Sequence, residues 1–349
     1  MNKMNREDFA KILQGIVIPE GTSNEMIIEM VQPIREAISE MLPSSLFRCR
    51  RCDVDSIVAF KNDIIYAGTA DKFNDPYDTL VRYDLETIEE GVNRVMSRES
   101  LEQLKMWIAQ GNDFPEGVKQ VLPEAMLSAF REKLLALEDF SEYEPRIGET
   151  RRTMISMMRK LFPVLAEASQ RYCRVACFSE SVGSILMWSH YADFHMGFVL
   201  EYDFRRTLKN PIENVLIAPV IYDEERLDVS SYIVWEFLHL LGVNSKNPDI
   251  ASYIKVALHK SAAWAYENEW RLVDCTFHEI TDKTASAIPY RPRAIYYGAR
   301  MDAGKKDLLH GIAQEKGIRD YEMYIDYSSP VYEVKYRPYG SVGTEDVSG

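Results

Sequence analysis

The stretch Tyr266-Glu267-Asn268-Glu269-Trp270-Arg271-Leu272-Val273 decides the fold, because helix-like sequence changes there to the alternation of a strand. In a strand over 269–273, Trp270 and Leu272 project from one face, and Glu267, Glu269 and Arg271 project from the other. A core-facing Trp and Leu fix the register of such a strand. The charged face then points either to solvent or into a cleft, and this stretch alone leaves both open.

Composition and charge describe an ordinary globular protein. The chain has 349 residues, of which 46% are hydrophobic and 27% charged. This length predicts one large domain with additions, or two domains. The formal net charge of −13 argues against overall attraction to nucleic acid or an anionic membrane, although a local basic groove is compatible with that average.

Targeting signals and cysteine usage both favour the cytoplasm. No apolar run approaches the roughly 20 residues that span a bilayer, and the N-terminus lacks a signal-peptide core, so we expect no membrane partner. Five cysteines form an odd set, which favours reduced thiols over a disulfide framework. Cys49-Arg-Arg-Cys52 and Cys173-x-x-x-Cys177 could form halves of a zinc site. The alternative is small buried apolar side chains, because alternate residues diverge in strand-like sequence.

Hydrophobic periodicity predicts mixed secondary structure. Helices are predicted over 6–15, 24–41, 54–60, 232–241, 249–266 (with Asp249 as N-cap) and 303–316, with a helical pattern throughout 85–170. Strands are predicted over 46–50, 64–67, 174–178, 197–202, 218–222, 269–273, 294–297, 321–325 and 331–336. Asn74-Asp75-Pro76 predicts a loop at 73–78, because Asn and Asp favour turns and Pro stops a helix.

The order of these elements predicts an α+β fold, because strands and helices are segregated rather than regularly alternating. We expect an N-terminal helical arm over 1–43, an α+β core over 44–84 and 171–337, and a large helical insertion over 85–170. The Gly- and Ser-rich tail over 338–349 is predicted to be disordered.

The common catalytic motifs are absent, and polar clusters beside strands remain as candidate sites. There is no phosphate loop, dinucleotide-binding glycine turn, zinc-protease helix or nucleophile elbow. The block from Met187 to Gly197 contains two histidines, a Trp and a Tyr, which could form an aromatic pocket with a titrating group. Alternatively, it is a short buried helix whose histidines cap backbone groups. His190 and His195 are poorly spaced for one metal ion, and we predict no metal.

Four blocks of sequence resemble the signatures of a widespread bacterial family of unknown function. They are Phe73-Asn74-Asp75-Pro76-Tyr77-Asp78, Cys177-Phe178-Ser179-Glu180, Met187-Trp188-Ser189-His190-Tyr191-Ala192-Asp193 with His195 and Gly197, and Trp264-x-Tyr266-Glu267-x-Glu269-Trp270-Arg271. The resemblance covers residues 46–336. Members are associated with mobile elements and phage defence, so the resemblance implies a defence or toxin role.

The order Arg48, Ser179-x-Ser181, Glu267-x-Glu269 is also similar to the arginine-type ADP-ribosyltransferases, which implies a mixed or antiparallel sheet of that type and NAD as substrate. In that superfamily the Arg holds the NAD phosphates, the serine strand supports the nicotinamide ribose, and the second Glu stabilises an oxocarbenium-like transition state. A guanidinium suits a diphosphate, and a carboxylate suits a developing sugar cation. The resemblance implies catalytic roles for Glu269, Glu267 and Arg271, and NAD contacts from Arg48, Tyr66, Asn74, Ser179, Ser181, Trp188, His190 and Tyr191.

Two departures accompany this resemblance: Glu180 stands where Thr is expected, and Arg50 and Arg51 leave open which arginine faces inward. Three functions therefore compete. The first is an NAD-consuming transferase or NAD-cleaving enzyme, with a protein, nucleic acid or small molecule as the unknown acceptor. The second is a non-catalytic sensor or interaction protein, in which the 188–197 block and the insertion bind a protein or nucleotide trigger and a regulatory partner contacts the arm or insertion. In this alternative Glu267 and Glu269 form a structural ion network with Arg271 and Lys260. The third is a metal-dependent nuclease or hydrolase using Asp75, Asp78, His190 and Glu269.

Overall fold

The computed structural model describes residues 4–341 except 20, 96, 115–118, 120–123, 140–143, 172–173, 210–211, 213–214, 231–248 and 275–284. The helices are α1 Arg6–Gly15, α2 Asn24–Met30, α3 Gln32–Met41, α4 Val54–Lys61, α5 Leu85–Val95, α6 Arg98–Ala109, α7 Glu124–Leu135, α8 Glu144–Ser169, α9 Ile185–Tyr191, α10 Arg205–Lys209, α11 Ser252–Leu258 and α12 Ala303–Lys316. The strands are β1 Leu46–Arg50, β2 Ile64–Thr69, β3 Arg174–Ser179, β4 Phe198–Tyr202, β5 Val215–Pro219, β6 Ile221–Asp223, β7 His259–Ser261, β8 Glu269–Asp274, β9 Ser286–Pro289, β10 Ala294–Tyr297, β11 Arg319–Tyr324 and β12 Lys335–Pro338. The predicted α+β class is confirmed.

A large, mostly antiparallel sheet divides into two arms at its central strand β3. One edge of β3 pairs with β8, which in turn pairs with β5. The other edge pairs with β1 at Ser179 and with β2 at Arg174 and Val175. From β1 the sheet continues through β4, β10, β11 and β12, while β2 leads to β9. The pairs β10–β11 and, in a separate two-stranded sheet, β6–β7 are parallel.

The predicted register of β8 is confirmed. Trp270 and Leu272 lie in the main hydrophobic core, opposite Phe178 and Ala176 of β3. Glu269 lies opposite Ser179 on the other face. Phe9 and Leu13 of α1 join this same core, so the N-terminal helices cover the apolar face of the sheet.

The helices of 85–169 have small cores of their own. One cluster contains Ile108, Phe114, Leu127, Leu134 and Leu137, and another contains Ile88, Val92 and Phe162. The division of the chain into arm, core and insertion stays a prediction. The predicted helix over 232–241 and tail residues 342–349 lie outside the described residues.

Several predicted boundaries are wrong. The helix over 24–41 is two helices that meet at Val31, because Pro33 lacks the backbone N–H that a continuous helix requires. The helix over 249–266 begins after Ala251 and ends at Leu258, because 259–261 pair as a strand with β6. The strand over 218–222 is divided between β5 and β6. The strand over 331–336 is displaced to Lys335–Pro338, where pairing with β11 begins.

Within the described residues, no helix combines the length and the apolar character needed to cross a bilayer.

Two glycines permit close backbone contacts beside the sheet. A Cβ at Gly298 would lie 2.1 Å from the carbonyl oxygen of His195 and 2.7 Å from that of Gly197. A Cβ at Gly197 would lie 2.2 Å from the carbonyl oxygen of Arg50. Real Cβ atoms do not approach backbone this closely, so only glycine allows this packing.

We predict that Gly298→Ala destabilises the protein by about 1–3 kcal/mol or more, because rigid backbone would have to move. The control is Gly311→Ala in α12, where a Cβ meets nothing within 4 Å. The control should gain about 0.5–1 kcal/mol, because Ala is the better helix former. Urea unfolding of both variants measures the difference, and equal stability of the two would contradict this packing.

Candidate functional site

Five charged side chains meet on the polar face of β8. Glu269 and Arg271 belong to β8 itself, Lys260 to β7, and Asp78 to the loop that follows β2. Glu267 ends the 3₁₀ segment Ala262–Glu267, two residues before β8 begins. All five are buried, and Arg271 has no exposed surface. The charged face therefore points into the protein and not to solvent. We call these five residues the buried charge cluster.

Arg271 and Lys260 hold the cluster together. The Arg271 guanidinium donates from Nη2 to Asp78 Oδ2 at 2.6 Å, from Nε to Glu269 Oε1 at 2.8 Å and from Nη1 to the Ala257 carbonyl at 2.7 Å. Lys260 Nζ donates to Glu267 Oε2 at 2.5 Å and to Glu269 Oε2 at 2.8 Å. The two carboxylates of the Glu-x-Glu motif therefore share one ammonium group.

Local backbone geometry allows this sharing. Asn268 has a left-handed conformation with φ of 45°, which separates the 3₁₀ segment from β8 and turns both neighbouring glutamates toward Lys260. Ser179 Oγ donates to the Glu267 carbonyl at 2.7 Å, and Tyr222 Oη accepts from the Glu269 amide at 2.7 Å. Backbone hydrogen bonds thus fix both glutamates independently of their charges.

The electrostatics of the cluster differ between its two glutamates. Three carboxylates face two cations, so full ionisation leaves a formal charge of −1. Burial acts to raise the pKa of Glu269, but Arg271 and Lys260 outweigh it and hold that pKa well below its usual range. Burial raises the pKa of Glu267, with Lys260 acting against the shift and Glu269 adding to it. Of the two glutamates, Glu267 is therefore the one that takes up a proton more readily.

The structure brings together six of the predicted site residues. Besides Glu267, Glu269, Arg271 and Ser179, these include Tyr191 and Asn74. Tyr191 Oη donates to Glu267 Oε1 at 2.7 Å, and Asn74 Nδ2 donates to Tyr191 Oη at 3.3 Å. A polar path thus leads from exposed Asn74 to the buried charge cluster.

Arg48 lies on the opposite face of the sheet from these six residues. It projects with Leu46 and packs its guanidinium 5.7 Å from the ring centre of Phe178. Its Nη2 donates to the Tyr66 carbonyl at 2.7 Å and so bridges β1 and β2 where the sheet divides. Burial, with Arg50 nearby, lowers the pKa of Arg48 to about 10. The structure therefore places Arg48 at the division of the sheet, bonded to the backbone of Tyr66 and on the opposite face from the cluster.

The other predicted residues have separate environments. Trp188 is buried, and its Nε1 donates to the Val182 carbonyl at 2.6 Å. Ser181 Oγ accepts from the Gly183 amide at 3.2 Å, as expected of a turn serine. His190 is exposed, with its ring 6.1 Å from that of Tyr191. Glu180, the unexpected acid of the serine motif, accepts from Trp270 Nε1 at 2.8 Å and lies on the apolar side.

A left-handed turn follows Tyr191, and the sequence pattern did not predict it. Asp193, Phe194 and His195 have φ values of 50°, 54° and 69°, an uncommon run for residues other than glycine. His195 Nε2 lies 3.2 Å from Ser189 Oγ, and its ring stacks on Trp188. Gly197 and Gly298, which allow the close packing of this turn, were the signal available in the sequence.

A cavity of about 410 Å³ lies beside the buried charge cluster. Asp75 and Lys260 line it, together with Thr79, His259 and Trp264. Within the described residues, Asp75 Oδ2 and Thr79 Oγ1 are buried atoms without a hydrogen-bond partner. An unsatisfied buried polar group costs about 1–3 kcal/mol, so such atoms need an explanation. The sequence pointed to this loop through Asn74-Asp75-Pro76, but not to the cavity.

Among the described residues, the geometry offers no support for the metal alternatives. Cys49, Cys52 and Cys177 are free thiols, and Cys173 and Cys275 lie outside the described residues. In the part of the chain that the structure describes, no three His, Cys, Asp or Glu side chains converge as metal ligands. Asp78 and Glu269 of the hydrolase hypothesis are held by Arg271, and His190 is exposed.

We predict that Arg271→Met lowers the free energy of unfolding by about 3–5 kcal/mol, because Asp78 and Glu269 would stay buried without their guanidinium. The matched control is Arg159→Met, which removes a largely exposed guanidinium paired with Glu89. The control should change stability by less than about 1 kcal/mol. Urea unfolding measures both, and similar losses would refute the structural importance of the cluster.

We also predict a pH dependence from Glu267. The raised pKa of Glu267 means that the folded state binds this proton more tightly than the unfolded state. The protonated Glu267 therefore contributes its full stabilisation below pH 4.5, and this contribution is lost as the pH rises through the folded pKa. Glu267→Gln keeps the neutral form and should gain stability relative to wild type over that window. Urea unfolding across pH measures the gain.

Glu269→Gln is the matched control, because the lowered pKa of Glu269 has the opposite sign. The Glu269 carboxylate contributes stability above pH 4.5, and this contribution is lost only at lower pH. Glu269→Gln should therefore be less stable than wild type, and the difference should not grow above pH 4.5. A Glu267→Gln difference that stays flat with pH would contradict the assignment of the proton to Glu267.

The comparison with known proteins concerns the segment that carries most of this site. No match to the chain was found among curated proteins or among solved structures. A family model described as "Protein of unknown function (DUF2971)" matches residues 187–272, which include Tyr191, Lys260, Glu267, Glu269 and Arg271. The predicted resemblance to a family of unknown function is therefore confirmed over these residues, and residues 187–272 are similar to DUF2971.

Proposed function

We propose that this protein is a non-catalytic sensor that binds a small molecule in the cavity beside the buried charge cluster. One observation carries the proposal. The charges of β8 are buried and paired with one another, whereas the open volume lies beside them and carries unpaired polar atoms of its own. In this proposal the cluster supports the site and the cavity is the site. The defence context implied by the family resemblance is retained as part of the proposal.

The pairing of Glu269 argues against a direct role in chemistry. Its side chain is 2% exposed, and both carboxylate oxygens accept hydrogen bonds from Arg271 or Lys260. A catalytic carboxylate must reach the reacting atoms, within hydrogen-bond distance or through one water. A substrate could reach Glu269 only by displacing one of its two cationic partners.

Lys260 connects the cavity to the rest of the molecule. It lines the cavity and also holds Glu267, which accepts from Tyr191 at the end of α9. Tyr191 is followed by the left-handed turn at 193–195, where Phe194 is 66% exposed. A ligand that binds more tightly when Lys260 occupies one position than when it occupies another shifts the population toward the first position. The contacts that link Lys260 through Glu267 to Tyr191 would shift with it. The geometry therefore supplies a path from ligand to surface.

A second candidate function is NAD cleavage or ADP-ribosyl transfer, favoured by the assembly of Asn74, Ser179, Tyr191 and Glu267. Two neighbouring carboxyl groups whose pKa values move in opposite directions are typical of acid–base sites. In this candidate Glu267, rather than Glu269, stabilises the sugar cation as nicotinamide leaves and the acceptor attacks the same carbon. An ADP-ribosyltransferase-like fold, NAD as substrate and an unspecified acceptor belong to this proposal.

Two features weigh against the second candidate. Arg48 faces away from the cluster and cannot hold a diphosphate there without refolding of β1. Asp75, Asp223, Glu224 and Glu225 outnumber the two cations on the cavity wall, which disfavours an anionic dinucleotide. The sensor proposal requires neither an arginine clamp nor a positive cleft.

We predict that a protein-free small-molecule extract of bacterial cells raises the Tm of the purified protein. A ligand present at 100 times its Kd stabilises the folded state by about 2.7 kcal/mol. Ala263→Trp should abolish the increase, because Ala263 lines the cavity and is exposed, so the larger ring fills the entrance without entering the core. Glu315→Gln, on an exposed position of α12, is the control and should keep the increase.

The same preparations distinguish the enzyme candidate. Wild-type protein incubated with NAD, with and without cell lysate, should release no nicotinamide above the protein-free background. Release by wild type that is lost in Glu267→Gln, with the variant shown to be folded, would replace the sensor proposal with NAD cleavage. A Tm increase that persists in Ala263→Trp would refute the cavity as the sensor site.

A further inference from the structure

We propose that the ligand of this cavity is a small organic cation with an apolar body, such as a primary amine. This inference rests on the proposed function and names the chemical class of its ligand. It is carried by the arrangement of unpaired acceptors, acidic groups and apolar walls around one cavity.

Two acceptors on the polar side of the cavity have no donor among the described residues. Asp75 is 7% exposed and Thr79 5% exposed, and neither Asp75 Oδ2 nor Thr79 Oγ1 has a partner among the described residues. The other oxygen of Asp75 is already used, because it accepts from the Tyr77 amide at 2.9 Å. A ligand N–H group would supply the donor that Asp75 Oδ2 lacks.

His259 adds a further acceptor to the same wall. Its Nδ1 lies 2.7 Å from the Lys255 carbonyl, which can only accept, so Nδ1 carries the proton. Burial lowers the pKa of His259, which favours the neutral ring. A neutral ring protonated on Nδ1 leaves Nε2 as an acceptor.

The charge of the wall selects a cation. Four carboxylates and two cations line the cavity, which leaves a formal charge of −2. The positive charge of Lys260 is taken up by Glu267 and Glu269, at 2.5 and 2.8 Å. Arg226 packs its guanidinium 5.8 Å from the ring centre of Tyr77. Glu225 lies 3.9 Å from Arg82, but Asp75, Asp223 and Glu224 have no ion pair among the described residues, so the wall retains unbalanced negative potential.

The remaining walls are apolar and match the body of such a ligand. Leu80, Leu227, Val256 and Trp264 also line the cavity. The volume of about 410 Å³ lies within the range of small-molecule sites. A ligand with one ammonium group and a short aromatic or aliphatic body satisfies both sides.

The test is a charge series on one molecular body, measured by calorimetry with the full-length protein. The probes are 2-phenylethylamine, its neutral analogue 2-phenylethanol and the anion 3-phenylpropionate. We expect the amine to bind at least about tenfold more tightly than either analogue, because only the amine donates to the unpaired acceptors and carries the complementary charge.

Asp75→Asn should weaken amine binding by about tenfold, since it removes the charge but keeps an oxygen that can accept from the Tyr77 amide. Glu315→Gln, which makes the same charge change on α12, should leave amine affinity unchanged. Because the charge series uses only wild-type protein, it remains decisive if Asp75→Asn fails to fold.

Each result distinguishes this inference from the proposed function. Equal binding of the alcohol and the amine, or equal amine binding by wild type and folded Asp75→Asn, would overturn the cationic assignment. Failure of all three probes, with the cell extract still raising the Tm, would overturn the ligand class and leave the sensor proposal standing. Failure of the extract as well would remove both.

Discussion

The Arg271 guanidinium has no contact with solvent, and its position depends on acceptors from three separate segments. Asp78 comes from the loop after β2, Glu269 from β8, and the Ala257 carbonyl from α11. An ion moved out of water is destabilising unless its partners are already in place. The loop, the strand and the helix end must therefore form together. The loop after β2 and the strand β7, which follows α11, form walls of the cavity. The mutual dependence of these segments therefore positions the cavity.

The cluster also accounts for the departure of 259–266 from the predicted helix. Residues 259–266 favour helix locally, yet β7 pairs with β6 and a 3₁₀ segment follows. This arrangement brings Lys260 against Glu267 and Glu269 at the same time. If the helix continued through these residues, Lys260 could not donate to both glutamates while Glu269 lay in a strand beside Ser179. Tertiary pairing thus overrides local propensity at the point where the charges must be neutralised.

The sequence predicted the local features of this site but not the contacts between distant segments. The alternation of Trp270 and Leu272 predicted the register of β8, and one of the alternatives drawn from the sequence paired the two glutamates with Lys260 and Arg271. Burial of the charged face could not be predicted, because the residues that cover it, such as Asp78 and Tyr191, are distant in sequence. The left-handed turn at 193–195 was missed for a related reason: Gly197 and Gly298 are visible in the sequence, but the close contacts that require glycine there join distant segments and do not appear as local patterns.

Arg48 shows how an order of motifs can agree with a known arrangement while the geometry differs. The order of Arg, Ser-x-Ser and Glu-x-Glu is a property of the chain, whereas the face of a strand depends on whether a residue stands at an even or odd position. Leu46 is buried in the core, so Arg48, two residues later, must lie on the core side. Ser179 lies opposite Phe47 and therefore on the other face. Residues 46 and 48 lie on the same face of a strand, so a strand with Leu46 in the core predicts from sequence that Arg48 lies on the core side. This position separates Arg48 from the buried charge cluster. With its guanidinium bridging β1 and β2, Arg48 stabilises the division of the sheet, and the positive charge beside the glutamates comes from Lys260 instead.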